Sequence, residues 1–195
     1  TLPAFTRSNA QAPWRQVGST ADITCFSFYA NKCITTGEGG MAVTQREDYA
    51  ERMRVMSLHG MSKDAWKRFT NQGSWHYELV APGFKYNLTD IASAIGLQQL
   101  KRADALWAER QQLAARYRSK LAGFKGLELP VELPDRQHSW HLFSVRVVQS
   151  AWSIDRAKLI DELKALNITC SVHWMPLHLH PYYRKTYGYG EGLFP

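Results

Sequence analysis

Three glycines in four positions, Gly37-Glu38-Gly39-Gly40, separate two stretches with the character of β-strands. Glycine enters left-handed backbone regions without a Cβ penalty, so such a cluster demands a tight turn. Before it, Ile23-Thr24-Cys25-Phe26-Ser27-Phe28 is β-branched and aromatic, has strand length, and follows Gly18-Ser19 and Asp22. After it, Met41-Ala42-Val43-Thr44 reads as a second short strand and Arg46 to Leu58 as a helix. Strands and helices in this order predict an α/β fold, in which ligands bind at strand ends.

Residues 60–86 are aromatic-rich and irregular, with Trp66, Trp75, Tyr77, Phe84 and Tyr86 around a turn at Pro82-Gly83. That composition suits a functional loop or an interface arm, where His59 and Trp66 serve as packing residues. From Thr89 to about Ala122 the pattern predicts one long helix, capped by Thr89 and favoured electrostatically by Asp90. Its first part, with Ile91, Ala92, Ala94, Ile95 and Leu97 apolar nearly all round, is expected to be buried. Farther on, Leu100, Ala103, Leu106, Trp107, Leu113, Ala114, Tyr117 and Leu121 form a single stripe. Gly123 and Gly126 stop the helix, and Pro130 and Pro134 begin a linker. The remainder predicts a strand over Trp140 to Val148, a helix capped by Ser153, and a second strand over Ile168 to Trp174.

The chain of 195 residues has 24 Lys+Arg against 17 Asp+Glu, a formal charge of +7. The basic residues are spread out, and most have acidic neighbours, as in Arg46-Glu47-Asp48. That is the pattern of a solvated mixed surface and argues against nucleic acid as a partner, while an anionic ligand in a basic cleft stays open. No apolar stretch approaches the roughly 20 residues that cross a bilayer, and no basic-then-apolar start suggests a signal peptide, so no membrane partner is expected. Three cysteines, Cys25, Cys33 and Cys170, are an odd count without paired spacing, which favours a reducing cytoplasm. His173, His178 and His180 lie close in sequence, but no Cys or carboxylate joins them at recognised ligand spacing, which argues against a metal.

In Ser27-Phe28-Tyr29-Ala30-Asn31-Lys32 a hydroxyl at a strand end precedes an amine by five residues, just before the glycine turn. Taken alone, this is a candidate site competing with an ordinary surface lysine, since the glycines match no phosphate-loop template. The longer string SFYANKCITTGEGGMAVT adds more. It resembles the active-site segment of the DegT/DnrJ/EryC1/StrS family of pyridoxal-phosphate-dependent sugar aminotransferases, marked by Ser-Phe-x-x-x-Lys followed by Thr and Gly-Glu-Gly-Gly. Four further blocks agree in order: LHGM at 58–61, APGFKYNLTDIASAIGLQQL at 81–100, WHLF at 140–143 and VHWMPLH at 172–178.

The resemblance implies part of a fold-type-I pyridoxal-phosphate-dependent transferase. Residues 1–105 would be the later part of the large, cofactor-binding domain with its dimer arm, and residues 106–195 the connecting helix and an incomplete small α/β domain. It implies that Lys32 is the catalytic lysine, bound covalently to pyridoxal 5′-phosphate. Such a lysine must be neutral to attack an aldehyde, and once free it can carry a proton. Ser27 matches the position whose hydroxyl binds the cofactor phosphate. Asn87 matches the asparagine that reaches the phosphate of the neighbouring subunit, which would make a homodimer necessary for function; by its own surroundings it reads equally as a helix-entry residue before Leu88 and Thr89. His173 matches a histidine near the sugar substrate.

Upstream of the Ser-Phe strand the family has a block whose Asp pairs with the pyridinium nitrogen. Counting back puts that slot near Pro3 and Thr6, inside TLPAFTRSNAQ, and no acid precedes Asp22. The resemblance therefore implies about half of a family member, with Gly188 to Pro195 an interior stretch. The expected reaction moves an amino group, from glutamate, onto the keto group of a nucleotide-linked sugar. Two alternatives are a non-catalytic remnant that dimerises, and a sugar dehydratase; members of the latter kind have lost the lysine, which is present here as Lys32.

Overall fold

The computed structural model describes residues 3–62 and 78–194. Trp66, Trp75 and Tyr77 of the expected arm lie outside the described residues. The chain divides into two compact units, one running to Lys120 with Val131–Phe143 added, the other Leu121–Pro130 with Ser144 onward.

The first unit is organised around the glycine turn. Strand β1 (Phe5–Thr6) pairs antiparallel with β2 (Arg15–Gln16) on one side and with β6 (Arg136–Gln137) on the other. Strands β3 (Thr24–Ser27) and β4 (Gly40–Val43) form a second antiparallel pair, in register from Thr24 opposite Val43 to Ser27 opposite Gly40. Helix α1 (Glu47–Ser57) follows, with Glu47 and Asp48 in its first turn and Arg54 in its last, both favourable to the helix dipole.

Helices α2 (Asp90–Lys101) and α3 (Ala103–Leu121) replace the single long helix that periodicity predicts. Thr89 caps α2 as expected, its hydroxyl accepting the Ala92 N–H. The break falls at Arg102, whose N–H bonds back to Gln99 as well as to Leu100, tightening the last turn to 3₁₀ geometry. After this turn the small side chain of Ala103 packs against Phe26, Phe28 and Ile34, with Val43 and Leu106 at the margin. Burying one phenylalanine there contributes about 2–3 kcal/mol, so this cluster fixes the strand pair against α3.

The front of α2 departs from expectation. Ile91 is 78% exposed, Leu97 60% and Ile95 47%. All-round apolarity marks a face that needs cover, and among the described residues these three side chains stay exposed.

In the second unit β5 (Leu127–Glu128) pairs antiparallel with β7 (Arg146–Val147). Trp152 braces it, its indole N–H donating to the Gly126 carbonyl at 2.8 Å and its ring meeting Phe124 edge-on. Helix α4 (Arg156–Ala165) is capped by Asp155, which accepts the Lys158 N–H at 2.8 Å, and not by Ser153. A carboxylate adjoining the first turn is the stronger acceptor and complements the helix dipole. The expected strand over Trp140 to Val148 shrinks to β7, and Ile168 to Trp174 forms no strand. A strand exists by pairing, and among the described residues 168–174 have no ladder partner. Helix α5 (Pro181–Tyr187) opens on proline at its first position, where the missing N–H costs nothing, and ends at the left-handed Gly188.

Candidate active site around Lys32

Strands β3 and β4 hold an excursion of chain from Tyr29 to Gly37, closed at its neck by Phe28. The Phe28 N–H donates to Gly39 at 2.9 Å, and the Phe28 carbonyl accepts from the Thr36 N–H at 3.0 Å and the Thr35 hydroxyl at 2.9 Å. Tyr29 and Gly37 bridge across, and Lys32 N–H closes a turn onto the Tyr29 carbonyl. Gly39 shows why the cluster is glycine. Its φ is +147°, and a Cβ there would lie 2.5 Å from Thr36 Oγ1 and 2.9 Å from Leu88 Cδ1. Leu88 is the residue after Asn87, so the glycine turn and the entry to α2 pack directly on each other.

Inside the excursion Cys33, Ile34 and Thr36 are buried and Lys32 is half-buried. Ser27 is exposed at the end of β3; its Oγ accepts the Tyr29 N–H at 3.3 Å, which leaves the hydroxyl proton to donate outward. Asn87 is half-buried and its Oδ1 accepts from Lys85 Nζ. Among the described residues no hydrogen bond joins Asn87 to Ser27 or Lys32. His173 lies in the second unit, where its Nε2 accepts the Trp174 indole N–H at 3.0 Å.

One residue near Lys32 escaped the sequence reading. His141 Nε2 sits 3.4 Å from Lys32 Nζ. Its neighbours Ser139 and Trp140 are buried, and Trp140 has φ +47°, a left-handed conformation costing about 1–3 kcal/mol for a bulky residue. Helix α3 enforces it. The Trp140 indole N–H donates to Gln111 Oε1 at 3.0 Å, Arg110 donates to the Trp140 carbonyl at 3.1 Å, and Trp107 and Gln111 both donate to the His138 carbonyl. The Arg118 guanidinium lies 4.8 Å from the Trp140 ring centre. Cys33 Sγ approaches the Ser139 carbonyl at 3.8 Å. The signal that could have found His141 was its place in the WHLF block.

His138 Nδ1 accepts the Trp140 backbone N–H at 2.9 Å, so it must be unprotonated. Partial shielding from water holds His138 below the usual histidine range, and the Arg118 charge acts in the same direction against Glu132. A histidine lowered in the folded state binds protons more weakly than in the unfolded chain. It contributes stability above the unfolded value of about 6.5, lost as pH falls through that value toward the folded one. The urea midpoint should therefore drop between pH 7.5 and pH 5.5, and His138→Gln, which keeps an acceptor without titrating, should reduce that drop.

Asp22, the first acid of the chain, lines a cleft of about 420 Å³ with Arg15, Ser19, Thr20, Gln45 and Arg46. The slot near Pro3 and Thr6 holds the start of β1, paired to β2 and β6, and offers no carboxylate. The Arg46 charge in that cleft is paired with Asp48 at 2.6 Å.

The elements around Lys32 make this a mixed α/β chain. The chain belongs to the DegT/DnrJ/EryC1/StrS aminotransferase family, whose profile matches residues 6–195. It is 46% identical over 182 residues to the spore coat polysaccharide biosynthesis protein SpsC of Bacillus subtilis, covering 93% of this chain and 47% of SpsC. Its structure resembles the putative sugar aminotransferase Spr1654 from Streptococcus pneumoniae in its PMP-form, with TM-score 0.78 and 33% identity, covering 93% of this chain and 45% of that one. Helicobacter pylori PseC, an aminotransferase involved in the biosynthesis of pseudoaminic acid, gives TM-score 0.78 at 28% identity, covering 95% and 46%. The chain spans about half the length of the curated relatives it matches.

Proposed function

We propose that this chain carries the lysine-bearing part of a pyridoxal-phosphate-dependent sugar aminotransferase, which moves an amino group from glutamate to the keto carbon of a nucleotide-linked sugar. The observation that carries this reading is Lys32, half-buried on an excursion whose neck is fixed by three hydrogen bonds to Phe28 and Gly39. The donor set fits the aldehyde and phosphate ends of pyridoxal phosphate, with an amine at Lys32 and an outward hydroxyl at Ser27. Residues 3–21 supply no carboxylate for the ring nitrogen.

When bound, the cofactor supplies the electron sink that lets an amino group leave one carbon and join another. The protein supplies position and proton handling. Lys32 would hold the aldehyde end of the cofactor and, when free, would hold or deliver a proton at Nζ. Ser27 would hold the phosphate end. By the match of its block to the family, His173 would be the histidine for the sugar substrate.

Asn87 acts on the neighbouring subunit in this reading. Exposed apolar side chains before and within α2 support a homodimer: Tyr86 is 74% exposed and Leu79 64%, and Ile91, Ile95 and Leu97 are exposed too. Sedimentation should give a dimer, and a persistent monomer with cofactor present would remove the role of Asn87. The free thiols Cys25, Cys33 and Cys170 accord with a cytoplasmic chain.

The test is a titration with pyridoxal phosphate, following the visible absorption of lysine-bound cofactor. A second reading, a dimerising chain without catalysis, is favoured by the missing ring-nitrogen acid; it predicts no band.

A further inference from the structure

We infer that His141 is the positioning residue of Lys32, accepting a hydrogen bond from Nζ at Nε2 and fixing where the amine points. The inference deepens the functional reading above and rests on it for the role of Lys32. Among the described residues, His141 is the only hydrogen-bond partner of Lys32 Nζ, at 3.4 Å. A lysine ammonium has three donors and no acceptor, so Nε2 must be the unprotonated nitrogen whenever Lys32 is charged. That assigns the ring proton to Nδ1.

The contact is held from outside. Lysine has four rotatable bonds and no preference for one direction, whereas His141 follows a residue locked in an unusual conformation. Trp140 is held at φ +47° by its indole N–H donating to Gln111, its backbone N–H donating to His138 and its carbonyl accepting from Arg110. The buried Cys33, next to Lys32, approaches the Ser139 carbonyl at 3.8 Å. Helix α3 thereby sets the segment 138–140, the segment sets His141, and His141 sets the amine. Strain that its surroundings enforce is a recurring mark of a functional position.

Two measurements test this. In cofactor-free chain labelled with ¹⁵N-histidine, the His141 signals (assigned by their loss in His141→Gln) should show the proton on Nδ1. Nε2 should shift in Lys32→Ala. A proton on Nε2, or a spectrum indifferent to Lys32→Ala, overturns the inference. In the second measurement, the rate at which the visible band forms on adding pyridoxal phosphate should fall roughly tenfold to a hundredfold in His141→Phe, the scale of a reacting group misplaced by about an ångström. His141→Gln, which restores an acceptor, should recover most of that loss. Equal rates in wild type and His141→Phe overturn the inference while leaving the functional reading intact. If the wild type forms no band, the functional reading falls and the ¹⁵N measurement alone decides the contact.

Discussion

Lys32→Ala should abolish the visible band that pyridoxal phosphate develops with this chain, and with it at least roughly 10³-fold of any amino-transfer rate. The two roles proposed for Lys32, the covalent hold on the cofactor and the proton carried at Nζ, would disappear together, so the expected loss exceeds that for either alone. Lys32→Arg sharpens the test. It keeps the charge and approximate length, yet a guanidinium is never deprotonated in proteins and cannot become the nucleophile. If charge alone mattered, the arginine variant would behave as wild type; on the present reading it is as silent as the alanine. An equal band in Lys32→Ala would show that another amine holds the cofactor.

The second large effect is structural. Gly60→Ala should lower stability by about 2–4 kcal/mol, read as a fall in the urea midpoint. Gly60 has φ +75°, and a Cβ on it would lie 1.7 Å from the Ala81 carbonyl oxygen. The facing Gly83 is equally constrained, its Cβ position 2.1 Å from the Gly60 nitrogen. Hydrogen bonds from His59 N–H to Phe84, Phe84 N–H to Met56, and Tyr86 N–H to Ser57 hold the two segments together just before Asn87. Gly123→Ala is the control, because Gly123 also has φ +75° but nothing lies within 4 Å of its Cβ position. That variant measures the left-handed backbone alone, about 1–2 kcal/mol. If the two cost the same, the close crossing at Gly60 carries no weight.

What could be read from the sequence followed the range of the interactions involved. Strands β3 and β4, the turn between them, and the Thr89 cap are local, decided by residues a few positions apart, and they stand where the residues put them. The Lys32 excursion belongs to the same class, because its neck closes between Phe28 and Gly39. His141 could not be found that way. It is 109 residues from Lys32, and the contact depends on Trp140 adopting a conformation that no propensity favours. Ile168 to Trp174 has strand composition but needs a partner strand that the segment itself cannot supply. The break at Arg102 left no mark either, since neither Pro nor Gly interrupts Lys101-Arg102-Ala103. Ile91, Ile95 and Leu97 were read correctly as apolar all round. Inferring burial was the error, because apolarity states only that a surface needs cover.

That uncovered face of α2 gives the chain a distinctive response to ionic strength. With a formal charge of +7, separate copies repel one another, and salt screens the repulsion over a Debye length of about 8–10 Å at physiological concentrations. Contact between apolar faces is not weakened by screening, and sulfate or phosphate strengthens it. Raising salt should therefore drive copies of this chain together. A basic protein gripping a polyanion does the reverse and lets go, so one salt series separates an α2 contact between copies from the capture of an anionic partner.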